Sequence, residues 1–196
     1  MELNSKHHSS KLEWIENLDS VLFAKKKKNH KINFLNVKPK WIYGIRTFDI
    51  LKCFAYHNDS KNRGTSEKIL YIVSKVVVIL LHKLEEQIHY REHKNEISSI
   101  VTSENNLVAT GEFGNSPSIH IWDINTLKTT CIFSGHHKSD IYLLHFFKDE
   151  DHLISCSIRD PTPIYIFSIG SKSLKFTFHI NGFIRGIVPI IAEVDE

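Results

Sequence analysis

The chain has 196 residues, and its 41% hydrophobic content is enough to bury a core in one large domain, or in a small domain with a tail. With 25 Lys and Arg against 22 Asp and Glu, the net charge of +3 is too weak to suggest a nucleic-acid partner. Cys53, Cys131 and Cys156 are far apart and odd in number, which argues against a disulfide framework and fits a reducing compartment. The opening residues lack the apolar core of a signal peptide. The most apolar run, 69–81, is broken by Lys75 and falls short of the roughly 18 apolar residues a membrane span needs. The expectation is a soluble intracellular protein with no membrane partner.

Residues 1–37 read as a basic arm. Leu12, Ile15, Leu18 and Leu22 recur at helical spacing with Trp14 beside them, which predicts a short amphipathic helix. The block Lys25, Lys26, Lys27 and Lys28 ends that pattern, and Lys31, Lys38 and Lys40 extend the positive charge. Such a run is a candidate contact for an acidic surface, and the alternative is a solvated linker. A contact of this kind weakens with salt, because exposed charges are screened within about 10 Å at 0.1 M.

From residue 68 the apolar period changes to two. Strands are predicted at 68–73, 76–81, 97–102, 107–111, 119–124, 129–133, 141–147, 153–157, 163–168 and 174–179. Asn, Asp, Gly, Ser and Pro punctuate the gaps. Many short strands at even spacing mean a sandwich, a barrel or a propeller.

An internal repeat separates these options. Ile97 recurs as Ile141 after 44 residues, Trp122 as Phe167 after 45, and Gly135 as Gly182 after 47. Four strands every 40–45 residues is the signature of a propeller blade. The expected fold is all-β: a partial WD-repeat β-propeller of about three four-stranded blades at 69–192, not closed. Open blade edges would make the isolated chain prone to association.

In such blades a His, a hydroxyl, an acid and a Trp share buried hydrogen bonds. The first full repeat offers His93, Thr110, Trp122 and Asp123, with Glu112 or Asn115 near the acid position. The next offers Gly135, His136 or His137, Ser155 or Ser157, and Asp160, with Phe167 in place of the Trp.

Catalysis finds little support. Ser155, His136 and Asp160 are triad-type residues, yet a blade network explains them and no Gly-x-Ser-x-Gly turn is present. No Gly-rich phosphate loop occurs. Thirteen His include the pairs His7–His8 and His136–His137, but no Cys/His spacing suits zinc. No enzyme activity, cofactor or metal is expected.

Between the arm and the repeats stands Lys38–Pro39–Lys40–Trp41–Ile42–Tyr43–Gly44–Ile45–Arg46–Thr47–Phe48–Asp49. This resembles the HELP motif of echinoderm-microtubule-associated-protein-like proteins, with Trp41, Tyr43, Gly44, Arg46 and Asp49 matching its core. The segment 38–68 is therefore read as HELP-like. The likeness continues through 69–78, Leu84–Gln87, Tyr90–His93, Val108–Gly111 and Ile119–Asp123. The resemblance implies a microtubule-associated scaffold that binds tubulin and resides in the cytoplasm and microtubule cytoskeleton, the axoneme included. Departures are the short helical stretch in place of a coiled coil, and Glu92 where Gly usually precedes the His. Trp41, Tyr43 and Arg46 are expected to pack the segment onto the propeller rather than face a partner. The alternative function is a general WD-repeat adaptor that binds other proteins through the propeller surface or its open edges, without tubulin.

Overall fold

The computed structural model describes residues 40–45, 53–58, 67–81, 84–157 and 161–181. The predicted N-terminal helix, Lys25, Lys26, Lys27, Lys28, Lys31, Lys38, Arg46, Asp49 and Asp160 lie outside the described residues.

Twelve strands occur among the described residues, in three antiparallel sheets of four. The first sheet takes β1 (Phe54–Asn58), β2 (Glu67–Val73), β3 (Val76–Leu81) and β4 (Glu86–Tyr90). The second takes β5 (Ile97–Thr102), β6 (Leu107–Glu112), β7 (Ile119–Asp123) and β8 (Thr129–Phe133). The third takes β9 (Ile141–Phe146), β10 (His152–Ser157), β11 (Thr162–Ser168) and β12 (Ser173–Ile180). Within each sheet every strand pairs with the next in sequence, so each sheet is a meander. No helix among the described residues is long and apolar enough to cross a membrane.

The first blade begins at Phe54, inside the segment read from sequence as preceding the blades. β1 and β4 carry few of the apolar alternations that marked the other ten strands. Gln87 and His89 of β4 face the segment 40–45 rather than a core, which explains their polarity.

Side-chain alternation sorts the blade interfaces. In β6, Val108 joins a core with Leu70, Ile72, Val77 and Ile79 of the first blade, while the next residue, Ala109, joins a core with Ile141, Leu144 and Leu153 of the third. In β7, Trp122 faces the first blade, and Ile119 and Ile121 face the third. Blade 2 is thus buried on both faces. The first strand of each blade lies against the first strand of the next, β1 on β5 and β5 on β9.

Polar ties cross the same seams. Ser98 Oγ donates to Ile141 O at 2.6 Å, Thr102 Oγ1 to Tyr56 O at 3.0 Å, and His57 Nε2 pairs with Asn106 Oδ1 at 2.9 Å. Hairpin ends use one device repeatedly: a side-chain oxygen captures two backbone N–H groups. Asp123 Oδ1 takes those of Asn125 and Thr126, and Asp149 Oδ1 those of Asp151 and His152.

Blades 2 and 3 approach each other closely at Gly111. A Cβ there would meet Ile141 Cγ2 at 2.6 Å and Ser99 Oγ at 2.7 Å. Gly111→Ala should therefore push blades 2 and 3 apart and lower stability by about 2 kcal/mol. Urea unfolding followed by circular dichroism checks this; an unchanged midpoint would contradict the tight seam.

Candidate functional site

Two arrangements collect the chain's distinctive polar and aromatic residues. One is buried in blade 2, and the other lies on the outer face of blade 1.

In blade 2 the entry loop before β5 delivers His93, β6 delivers Thr110 and Glu112, and β7 delivers His120 and Trp122. All five are buried. Glu112 Oε1 accepts from His93 Nδ1 at 2.9 Å, His93 Nε2 meets Thr110 Oγ1 at 2.7 Å, and Trp122 Nε1 donates to Thr110 Oγ1 at 3.2 Å. A carboxylate can only accept, so Nδ1 of His93 carries the proton. Asn95 Nδ2, Ser118 N and Ser118 Oγ donate to Glu112 Oε2. Burial pushes the Glu112 carboxyl up, but these donors outweigh it and hold the group well below the usual carboxylate range.

Blade 1 closes the network from the other side. Tyr90, the last residue of β4, stacks on Trp122 with centroids 4.2 Å apart and planes within 4°. Its hydroxyl meets His120 Nδ1 and Thr129 Oγ1, both at 2.9 Å. Burial pushes its phenol up to about 12.

The sequence-selected residues fare unevenly. His93, Thr110 and Trp122 come together. Asp123 does not join them; it caps the β7–β8 turn, because the residue after Trp122 points to the opposite face. The acid is Glu112 rather than Asn115. Gly135 supplies only a left-handed backbone, φ 81°, in the β8–β9 connection. In blade 3 the histidine on Ser155 is His137, at 2.7 Å, and not His136. His136 instead packs edge-on against Phe167, and its carbonyl accepts from Tyr165. The pair lies in the bend that follows the left-handed Gly135, which brings His137 to Ser155 and turns His136 to Phe167.

Sequence reasoning missed Tyr90 and His120. The signal was available: an aromatic three residues before the network His, and a His two residues before the Trp on the same strand face.

His93, Glu112 and His120 offer ligand atoms within 4.8 Å of one another. The two imidazoles are stacked at 3.9 Å with planes 21° apart. Stacked rings direct their in-plane lone pairs side by side rather than at one point, and both nitrogens of His93 are already engaged. The arrangement suits a hydrogen-bond chain and fits a metal poorly. Ser155 is fully buried, so no substrate carbonyl reaches it as a nucleophile.

On the outer face of blade 1, Gln87 and Tyr71 hold both backbone polar groups of Ile42. Gln87 Oε1 accepts from Ile42 N at 2.8 Å, and its Nε2 donates to Tyr71 Oη at 2.9 Å. Tyr71 in turn donates to Ile42 O at 2.9 Å. The expectation that Tyr43 packs the segment down is corrected here, while Trp41 is half-buried. The main chain of Ile42 docks it, while Tyr43 stacks on Trp41 and remains 78% exposed. Gly44 has φ 113°, a conformation suited to Gly, and Lys40 is exposed.

No family model matches the chain. Among solved structures it is similar to a WD40 propeller chain in the crystal structure of the mitotic checkpoint complex, with 15% identity and a TM-score of 0.56. The match covers 68% of this chain and 40% of that one. The fold is a partial WD-repeat β-propeller. Among the described residues its ring is not closed, and its most complete polar network lies in blade 2.

That network makes the propeller acid-sensitive. Burial pushes His120 and His137 each down to about 4, with a neighbouring imidazole, His93 and His136 respectively, adding to it. Both rings are neutral in the fold, whereas the unfolded chain takes up the proton near the ordinary 6.5. Their contribution is present above that value and lost as pH falls toward 4, about 3 kcal/mol for each ring. Urea midpoints should therefore drop between about pH 7 and about pH 5, and a flat profile would count against two buried neutral rings.

Proposed function

We propose that this propeller is a non-enzymatic scaffold associated with microtubules, working in the cytoplasm and cytoskeleton, the axoneme included. The observation that carries the reading is the HELP-like segment on blade 1. Its main chain is pinned by Gln87 and Tyr71, which leaves Tyr43 and Lys40 exposed, with Tyr43 stacked on a half-buried Trp41. Pinned main chain with a presented aromatic is how a rigid support displays contact residues at low entropic cost. The lysines of the arm, Lys25, Lys26, Lys27, Lys28, Lys31 and Lys38, supply positive charge suited to an acidic protein surface such as tubulin. The polar groups a catalyst would need are buried and mutually satisfied in blade 2, which supports a binding role.

Microtubule co-pelleting tests this. Saturable binding is expected that weakens as salt rises, with Tyr43→Ala and charge removal at Lys25–Lys28 each lowering affinity several-fold. A folded chain that never pellets, or pelleting unmoved by salt and by these substitutions, would overturn it.

A specific feature favours a second reading, a general protein adaptor. A cavity of about 400 Å³ lies at the seam of blades 2 and 3, lined by Thr102, Ser103, Glu104, His145, Lys148 and Glu150 among others. Glu150 Oε1 takes the backbone N–H groups of Glu104 and Asn105, and its buried Oε2 has no hydrogen-bond partner among the described residues. A cavity with this mixed polar lining, its wall fixed by Glu150, suits a peptide segment. Loss of a purified non-tubulin partner on Glu150→Gln, in a chain that does not pellet with microtubules, would select this reading.

A further inference from the structure

Three buried polar atoms of blade 3 have no hydrogen-bond partner among the described residues: His137 Nδ1, Ser139 Oγ and Ser157 Oγ. His137 and Ser157 are only 3% and 1% exposed. Unsatisfied groups are uncommon at such depth, because each gives up its hydration with nothing in return.

Blade 2 shows what the three have in common. Glu112 pairs across its sheet with Ile97, and Ser157 pairs with Ile141, which opens blade 3 as Ile97 opens blade 2. Ser157 therefore stands where Glu112 stands one blade earlier. His137 meets Ser155 through Nε2 as His93 meets Thr110, both at 2.7 Å. Ser139 comes two residues after His137, as Asn95 comes two after His93, and both loops bend there. In blade 2 these places are joined by one group. The Glu112 carboxylate takes His93 Nδ1 at 2.9 Å, Asn95 Nδ2 at 3.1 Å and the main-chain N–H groups of Lys94 and Asn95. The three unpartnered side chains of blade 3 are thus the counterparts of Glu112, His93 and Asn95.

What blade 3 lacks is a single carboxyl group. Ser157 Oγ takes the place of the Glu112 Cγ, and the side chain extends no further. The groups left around that place are all hydrogen-bond donors. His137 offers an N–H in the tautomer that His93 adopts, and Ser139 and Ser157 each offer an O–H. The corresponding loop of blade 2 keeps a carboxylate charged in spite of its burial. Pro163 holds the place of Ser118, whose N–H and hydroxyl both bond Glu112. Proline has neither donor, so the blade 3 place is the weaker of the two and suits an exchangeable guest.

We propose that blade 3 carries a small-anion site at His137, Ser139 and Ser157, which takes a monovalent carboxylate the size of formate where blade 2 has Glu112. The loop over the site is exposed at Ser134, Gly135 and Lys138, so a local opening there gives entry without parting the blades.

Formate is the probe, and His93 is the internal control, since its Nδ1 is already taken by Glu112. In NMR spectra of the full-length chain, formate replaces gluconate, a carboxylate too bulky for the site, at constant ionic strength. The His137 ring resonances should shift along a saturating curve while those of His93 stay in place. Ser157→Glu brings its own carboxylate and should abolish the His137 response. If that variant does not fold, Ser139→Ala decides instead and should weaken formate binding several-fold. A His137 ring that ignores formate would overturn the site and leave water as the partner of the three groups. A response that is matched at His93, that grows without saturating, or that persists unchanged in the folded variant would overturn it equally.

Discussion

Thr110 Oγ1 is the atom on which blade 2 turns. It receives the Trp122 indole N–H and meets His93, which is held from behind by Glu112. Every member is buried, so each bond answers a desolvation cost that would otherwise fall on an orphaned group, roughly 1–3 kcal/mol for a neutral one and more for the carboxylate. The chain joins the entry loop, β6 and β7, and fixes how blade 2 presents its two faces. Tyr90 then stacks on the same indole, so the outermost strand of blade 1 is set by the core of blade 2. Removing the Thr110 hydroxyl would leave a His and a Trp unsatisfied at once.

Across the three blades the network is unequal, and packing compensates. Among the described residues blade 1 shows no such chain on the equivalent face, its outer one; Tyr71 and Gln87 hold the main chain of Ile42 there instead. Blade 3 keeps only His137 with Ser155. Ser157 takes the register of Glu112 and is too short to replace the carboxylate, so Ser157 Oγ and His137 Nδ1 lack partners among the described residues. Phe167 replaces the Trp and stacks on Phe133 at 4.3 Å, exchanging a hydrogen bond for aromatic contact. Blade 2 therefore carries most of the specificity, with the flanking blades held against it largely by apolar area.

The repeat was legible because a buried sheet forces period two, and ten strands declared themselves that way. β1 and β4 did not. Their sequences, Phe54–Asn58 and Glu86–Tyr90, are short and mixed because one face meets a blade core while the other meets solvent or the segment 40–45. The network was legible by residue type but not by partner choice. Two adjacent histidines look equal in sequence, whereas the bend after the left-handed Gly135 brings only His137 to Ser155. Glu112 and Asn115 were equivalent candidates until the backbone placed Glu112 on β6 beside His93. Tyr90 was invisible because its role depends on a residue 32 positions on, Trp122, in another blade.

These features separate stability from recognition within one fold. The residues most suggestive of chemistry, His93, Glu112, His120 and Ser155, are consumed inside the blades and are closed to ligands. Among the described residues, what remains available lies at the boundaries: Tyr43 on blade 1, the polar cavity at the seam of blades 2 and 3, and the exposed Phe176 and Phe178 of β12. Each is presented by an element whose position the buried network fixes, directly or through one interface. A substitution in the network should therefore disturb binding only by moving a boundary. A substitution at a boundary should disturb binding while leaving the fold intact. That asymmetry is expected of a repeat scaffold, in which neighbouring units supply the rigidity and the exposed margins supply the contacts.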